Sequence, residues 1–180
     1  MLVYILYAIL FVVIGTAAYA GISAAPWVPT KPKQTQRMIE CLDLFDGAKV
    51  YDLGCGSGTL LFAAAKKNPN ILAVGFEISV LPFLVAKIRS LFSRQVTIHY
   101  GNLFKKDLRD ADVVTVFLMS KIYNKLAQKF SKELKNDALV ILEVWPFPNL
   151  EPERTIREEN LLPMFVYRGR QFRISGTNTL

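Results

Sequence analysis

"YDLGCGSGTLLFAAA", residues 51 to 65, sets Gly54, Gly56 and Gly58 on alternate positions between two runs of opposite character. Before them, "AKVYDL" (48 to 53) is rich in β-formers and carries Asp52 near its end. After them, "GTLLFAAAKK" (58 to 67) has strong helix formers and closes on two lysines, which suit a helix C-terminus. The glycines therefore fall on a strand-to-helix turn.

Glycine permits positive φ and lets a ligand approach the main chain, whose free N–H groups at a helix start face an electron-rich guest. A P-loop needs Lys-Ser/Thr after its last glycine, and here Thr59-Leu60 follows Gly58, which sets ATP and GTP hydrolysis aside. The dinucleotide fingerprint is G-x-G-x-x-G, whereas this turn is G-x-G-x-G with an acid two residues before its first glycine. That acid would repel a pyrophosphate and hold an ammonium.

S-adenosylmethionine carries an ammonium, a sulfonium and a ribose, and it has no phosphate. The next β-rich run, "ILAVGFE" (71 to 77), ends in Glu77, a carboxylate placed to accept both ribose hydroxyls. Asp52, Gly54, Gly56, Gly58 and Glu77, flanked by Leu53, Cys55 and Ile78, are thus the expected cofactor site.

Strands are predicted near 48–53, 71–77, 96–100, 112–118 and 138–144, with helices near 58–67, 79–92 and 121–134. That alternation predicts an α/β fold with a mostly parallel sheet covered on both faces. "MFVYRGRQFRI" (164 to 174) reads as a closing antiparallel hairpin about its one glycine. Ligands of such sheets bind beyond the carboxyl ends of the strands, which adds Asn102 and Leu103 after the third strand, Phe117 after the fourth and Glu143 to Phe147 after the fifth. Asn102 can offer its amide to adenine. His99, a strand residue, is assigned no role.

Residues 1 to 30 contain no Asp, Glu, Lys, Arg or His, and "LVYILYAILFVVIGTAAYAGI" (2 to 22) is 21 residues long. A helix of that length crosses a hydrocarbon core of about 30 Å. A cleaved signal peptide is the rival, with "AYA" and "SAA" as cleavage sites, but its n-region would lack Lys or Arg. Lys31, Lys33 and Arg37 follow the apolar run and predict a single-pass membrane protein with its folded domain in the cytoplasm. The expected organisation is an anchor over 1–25, a linker and entry helix over 26–46 and the cofactor-binding domain over 47–180. Thr30 is positioned to cap the entry helix, predicted over about 32–45 with Met38, Leu42 and Phe45 on one side.

The net charge is +7, with 22 Lys and Arg against 15 Asp and Glu. Lys121, Lys125, Lys129 and Lys132 make a solvated stripe on the helix near 121–134, suited also to an anionic membrane surface. No basic-aromatic nucleic-acid motif accompanies the charge, so no nucleic-acid partner is expected. Cys41 and Cys55 form no C-x-x-C pair, which predicts a reducing compartment and no metal site.

Four stretches, "WVPTKPKQTQRMI" (27–39), "VYDLGCGSGTLLFAAA" (50–65), "AVGFEIS" (73–79) and "DVVTVFLMSKIYNKLAQKFSKELKNDALVILEVWPFP" (112–148), give the chain a family likeness. It resembles class I methyltransferases, which have a Rossmann-like sheet, and within them the small protein-lysine methyltransferases. These comprise an archaeal broad-specificity enzyme and mitochondrial enzymes acting on the c-ring protein of ATP synthase and on the adenine nucleotide translocase. The resemblance implies transfer of a methyl group to a lysine ε-nitrogen, with Thr30 near the methionine end of the cofactor. The mitochondrial relatives also have an N-terminal hydrophobic segment and membrane-embedded substrates. One departure stands out: the family usually reads Gly-Asp-Gly-Arg where this chain has Gly56-Ser57-Gly58-Thr59.

Methyl transfer from a sulfonium needs a neutral amine, and lysine at about pKa 10.4 is mostly protonated at neutral pH. An apolar aromatic channel lowers the cost of deprotonation and aligns nitrogen, methyl carbon and sulfur. Phe117, Tyr123, Trp145 and Phe147 are the aromatic candidates, with Glu143 as an orienting carboxylate. Tyr123, Glu143 and Trp145 are accordingly the expected catalytic group. Two other classes stay open: a methyltransferase for a lipid or quinone headgroup, and a non-catalytic S-adenosylmethionine-binding module.

Overall fold

The computed structural model describes residues 1–25 and 27–175; Pro26 of the predicted linker and residues 176–180 of the predicted domain lie outside them. Helix α1 (Leu2–Ser23) is followed by α2 (Pro32–Cys41) and then by an alternating series. It runs β1 (Lys49–Leu53), α3 (Thr59–Lys67), β2 (Leu72–Glu77), α4 (Val80–Ser90), β3 (Val96–Tyr100), β4 (Val113–Val116), α5 (Tyr123–Glu133) and β5 (Leu139–Glu143). The chain then adds β6 (Arg154–Ile156), β7 (Met164–Arg168) and α6 (Gly169–Ser175).

The seven strands form one sheet in the order β3-β2-β1-β4-β5-β7-β6. Strands β3 to β5 are parallel in that order, and β7 pairs antiparallel with both β5 and β6. The chain walks outward from β1 to β3 and then returns to place β4 beside β1. This reversal leaves a crevice at the carboxyl ends of β1 and β4, where ligands of open α/β sheets bind.

Period-two alternation divides the apolar residues between the two faces. Val114, Val116, Val140 and Leu142 join Leu126, Phe130 and Phe172 of α5 and α6 in one core. Val113, Leu139 and Ile141 join Met38, Leu61 and Ala86 of α2, α3 and α4 in the other. Each fully buried Leu, Val or Phe contributes about 1.5–3 kcal/mol, so both faces must be covered for the sheet to hold.

Four expectations are corrected. Helix α2 ends at Cys41 and Leu42 is extended, because Asn68 Nδ2 holds Leu44 O and Asp46 in a turn, leaving Phe45 exposed. Thr30 does not cap α2: Pro32 takes the first helical position, so the cap falls on Lys31, which is extended as a residue before proline must be. The segment 164–174 is no hairpin: β7 stops at Arg168 and Gly169 opens α6, and the antiparallel partner of β7 on its outer side is the preceding strand β6. A Cβ on Gly169 would lie 2.0 Å from the Lys135 carbonyl oxygen, so the glycine serves close helix packing.

The lysine stripe is the fourth, and only at Lys129: Lys121, Lys125 and Lys132 are exposed, as a solvated stripe requires. Lys129 is buried, its Nζ bonded to the Lys106 carbonyl and to Glu133 at 2.7 Å, while Lys125 lies 4.4 Å from the Phe104 ring centre. Lys121 reaches the last carbonyls of α1, those of Gly21 and Ile22. The stripe thus faces solvent except at Lys129.

Candidate functional site

A cavity of about 290 Å³ opens at the carboxyl ends of β1, β2, β4 and β5. Its walls include Thr30, Asp52, Gly54, Cys55, Gly56, Glu77, Ile78, Asn102, Leu103, Phe117, Glu143 and Trp145. The end of α1 closes another side through Ala20 and Ser23. Four residues expected at the site, Leu53, Gly58, Tyr123 and Phe147, are not in its lining. Leu53 turns into the sheet core with no exposure. Gly58 has φ +76 at the N-cap of α3, and a Cβ there would meet Phe62 and Ala86, so this glycine serves helix packing. Tyr123 is fully buried, donates its hydroxyl to Leu118 O at 3.0 Å and packs on Phe147, which is itself core.

The glycine turn is held from β2. Gly54 N and Cys55 N donate to Phe76 O, Gly58 N donates to Cys55 O, and Gly56 N donates to Glu77 Oε2 at 2.8 Å. Glu77 Oε1 also accepts from Ile78 N and Ser79 N, at 2.9 and 2.7 Å. Of about four acceptor positions on a carboxylate, three are taken, leaving room for one further donor where two ribose hydroxyls were expected. The amides of Gly54, Cys55, Gly56 and Gly58 are likewise spent internally, so any free donors expected at the helix start fall to the first turn of α3 and not to these glycines. What Gly56 supplies is room: at φ +54, a Cβ would lie 2.7 Å from Trp27 Nε1.

The missing acid and base of the turn have a partial substitute. Arg89 of α4 donates Nη1 to Ser57 O at 2.6 Å and stacks 4.2 Å from the Phe62 ring centre.

Asp52 is buried, with Oδ1 accepting from Thr115 Oγ1 at 2.9 Å. Burial pushes its carboxyl up to about 7; the Thr115 hydroxyl opposes the shift, while the charges of Glu143 and Glu77 add to it. Glu143 is almost fully buried, accepts at Oε1 from Gln34 Nε2 at 2.6 Å, and leaves Oε2 without a hydrogen bond. Its carboxyl is raised by burial, against the Gln34 bond and the Arg37 charge. Just beyond it, Val144 has φ +74, rare for a β-branched residue, and this bend sends Trp145 out to half exposure at the cavity mouth.

Asn102 uses Oδ1 to cap the short 3-10 turn Leu103–Lys105 through Phe104 N, at 2.9 Å. Cys55 is buried, and burial together with Asp52 and Glu77 pushes its thiol up, which makes it a packing group. Gln34 and Arg37 were missed by sequence reasoning. They occupy the buried face of α2 beside Met38, with Arg37 Nη2 and Gln34 Nε2 both meeting the Leu162 carbonyl. Their only signal is the i, i+3 polar spacing on a helix read from its apolar residues.

Among the described residues lining the cavity are three carboxylates and no Lys, Arg or His. In a chain of net charge +7 this is a local inversion of sign, and it suits a cationic guest and not a phosphate. A Rossmann-like sheet with a tight glycine turn, an acid ending the second strand and such a cavity defines a class I methyltransferase, the class that uses S-adenosylmethionine. An RNA methyltransferase from Salinibacter ruber, solved with S-adenosyl-L-homocysteine, superposes with a TM-score of 0.74 at 26% identity, over 78% of this chain and 93% of that one. The ANTKMT methyltransferase domain matches residues 52–154, and the chain belongs to that family.

Two curated relatives agree. A protein-lysine N-methyltransferase of Saccharolobus islandicus is 33% identical over 75% of this chain and 86% of its own length. A human lysine N-methyltransferase named for the c-ring protein of ATP synthase is 30% identical over 82% of this chain, which spans 63% of that longer protein.

Proposed function

We propose that this chain is a membrane-anchored protein-lysine N-methyltransferase that takes its methyl group from S-adenosylmethionine. The observation that carries the reading is the inverted charge of the cavity: Asp52, Glu77 and Glu143 converge with no cation among the described lining residues. S-adenosylmethionine supplies an electrophilic methyl on a sulfonium, and the rest of the chemistry falls to the chain. Asp52 holds the cofactor's ammonium, Glu77 takes one ribose hydroxyl, Asn102 offers Nδ2 to the base, and Thr30, Gly54, Cys55, Gly56, Ile78, Leu103 and Phe117 shape the walls.

The acceptor enters past Trp145 and Phe117 toward Glu143 Oε2. That oxygen is buried and unpartnered, and its raised affinity for a proton suits it to relieve a lysine ammonium of one. Gln34 fixes the carboxylate's other oxygen, so the free one keeps a constant direction. The names of the archaeal and human relatives support lysine as the acceptor.

Helix α1 is long and apolar enough to span a membrane, and its side chains are exposed over most of its length. Basic residues after it favour the domain on the cytoplasmic side. An RNA acceptor is the second reading, favoured by the Salinibacter neighbour. Incubating the full chain with radiolabelled S-adenosylmethionine, membranes and RNA separates the readings. Label recovered as methyl-lysine supports this one; label in RNA or in the lipid extract overturns it.

A further inference from the structure

Helix α4 carries two apolar faces. Pro82 and Ala86 are buried against the sheet, while Leu81, Leu84, Val85 and Ile88, continued by Leu91 and Phe92, form an exposed stripe at helical spacing. Phe92 is 89% and Leu91 74% exposed, an unusual setting for such large side chains. From 78 to 106 the sequence has Lys87, Arg89, Arg94, Lys105 and Lys106 and no Asp or Glu.

The stripe is continuous with α1. Val80 N, at the start of α4, donates to Thr16 Oγ1 of α1 at 3.2 Å. Lys121 holds the carbonyls of Gly21 and Ile22, and Ala20 is buried. The last two turns of α1 are therefore part of the domain. At about 1.5 Å per residue the whole of α1 measures roughly 33 Å, but the part before Thr16 only about 21 Å. A hydrocarbon core of about 30 Å thus exceeds the free length. A spanning α1 with these contacts draws the domain face around Thr16 down to the membrane boundary.

We infer that the exposed face of α4 is a second membrane contact, seated at the interface of an anionic bilayer beside α1, with its apolar stripe among the upper acyl chains and the exposed Arg94 among the headgroups, while Lys87 and Arg89 stay bonded to the Ile98 and Ser57 carbonyls. This rests on the reading of α1 as a span. The chemistry matches interfacial helices, which pair an apolar face with flanking cations. A protein partner for the stripe would leave the acid-free charge and the short free length of α1 without a cause.

The full chain reconstituted in lipid nanodiscs containing photoactivatable acyl chains tests it. After illumination, lipid adducts are mapped onto three peptides: 2–22, 80–94, and 151–160 at the opposite edge of the sheet. Adducts on 80–94 should exceed those on 151–160 at least tenfold. In discs containing phosphatidylglycerol they should exceed those in pure phosphatidylcholine by about fivefold, the effect of roughly one basic residue near such a surface. Labelling of 80–94 no greater than that of 151–160 overturns the inference. Adducts on 2–22 decide separately whether α1 enters the bilayer.

Discussion

The two sides of the cavity are made differently. On the β1–β2 side, the wall is main chain: Gly54, Cys55 and Gly56 are held by Phe76 O and by Glu77, all within about twenty residues of one another. On the β5 side, the wall is side chain, and Glu143 is aimed by Gln34 from 109 residues away. A main-chain wall fixes shape, because only backbone conformation and the absence of Cβ atoms matter. A side-chain wall fixes charge and proton affinity, because burial and partners set them.

The contrast breaks most sharply at Gly56. Gly56→Val places a β-branched residue at φ +54 against the Trp27 indole, and strain with overpacking should cost the cofactor at least about 100-fold in affinity. Circular dichroism should still report the fold, and unchanged affinity by calorimetry would sink the main-chain assignment. On the other wall, Glu143→Gln keeps an acceptor for Gln34 but removes the charge. The methylation rate should fall about 100-fold or more, with cofactor affinity within about threefold; a rate near that of the parent chain would remove Glu143 from the chemistry.

Asp52 joins the walls, and its response to pH sharpens the contrast further. Its carboxyl binds a proton up to about 7 when folded and only up to 3.8 when free. In that window the folded state holds more protons, so its contribution to stability is present below pH 3.8 and declines as pH rises to about 7. The cationic cofactor needs the ionised form, so cofactor affinity should rise over the same range and level off above it. Asp52→Asn should flatten both profiles, and parallel slopes in parent and variant would place the titration elsewhere. The smallest effect belongs to Tyr123→Phe, which should cost about 1 kcal/mol in denaturant stability for the lost bond to Leu118 O and leave kcat within about twofold.

Most of the main-chain wall was legible in sequence because glycines at 54 and 56, an acid at 52 and an acid closing the next strand state a backbone geometry locally. The sheet was legible for the same reason, since alternation and helix spacing act over short stretches. Gln34 and Arg37 were not, because only the packing of α2 onto the β5 end gives their polarity a target. Tyr123 misled in the opposite sense. Its position after a strand end resembles a site residue, yet the turn Ser120–Ile122 rotates it inward under Leu118. The false hairpin about Gly169 and the burial of Lys129 failed alike, through contacts with the Lys135 and Lys106 carbonyls that no local pattern encodes, although the i, i+4 pair of Lys129 with Glu133 was legible.

The three amides gathered by Glu77 have a kinetic consequence. With Gly56, Ile78 and Ser79 already fastened to one carboxylate, two adjoining turns share a single clasp before any ligand arrives. Ordering of this wall is met during folding, so encounter with the cofactor requires little rearrangement of the main chain there. Association should then be quick and insensitive to solvent viscosity beyond diffusion, and differences in tightness among cofactor analogues should reside in their residence times.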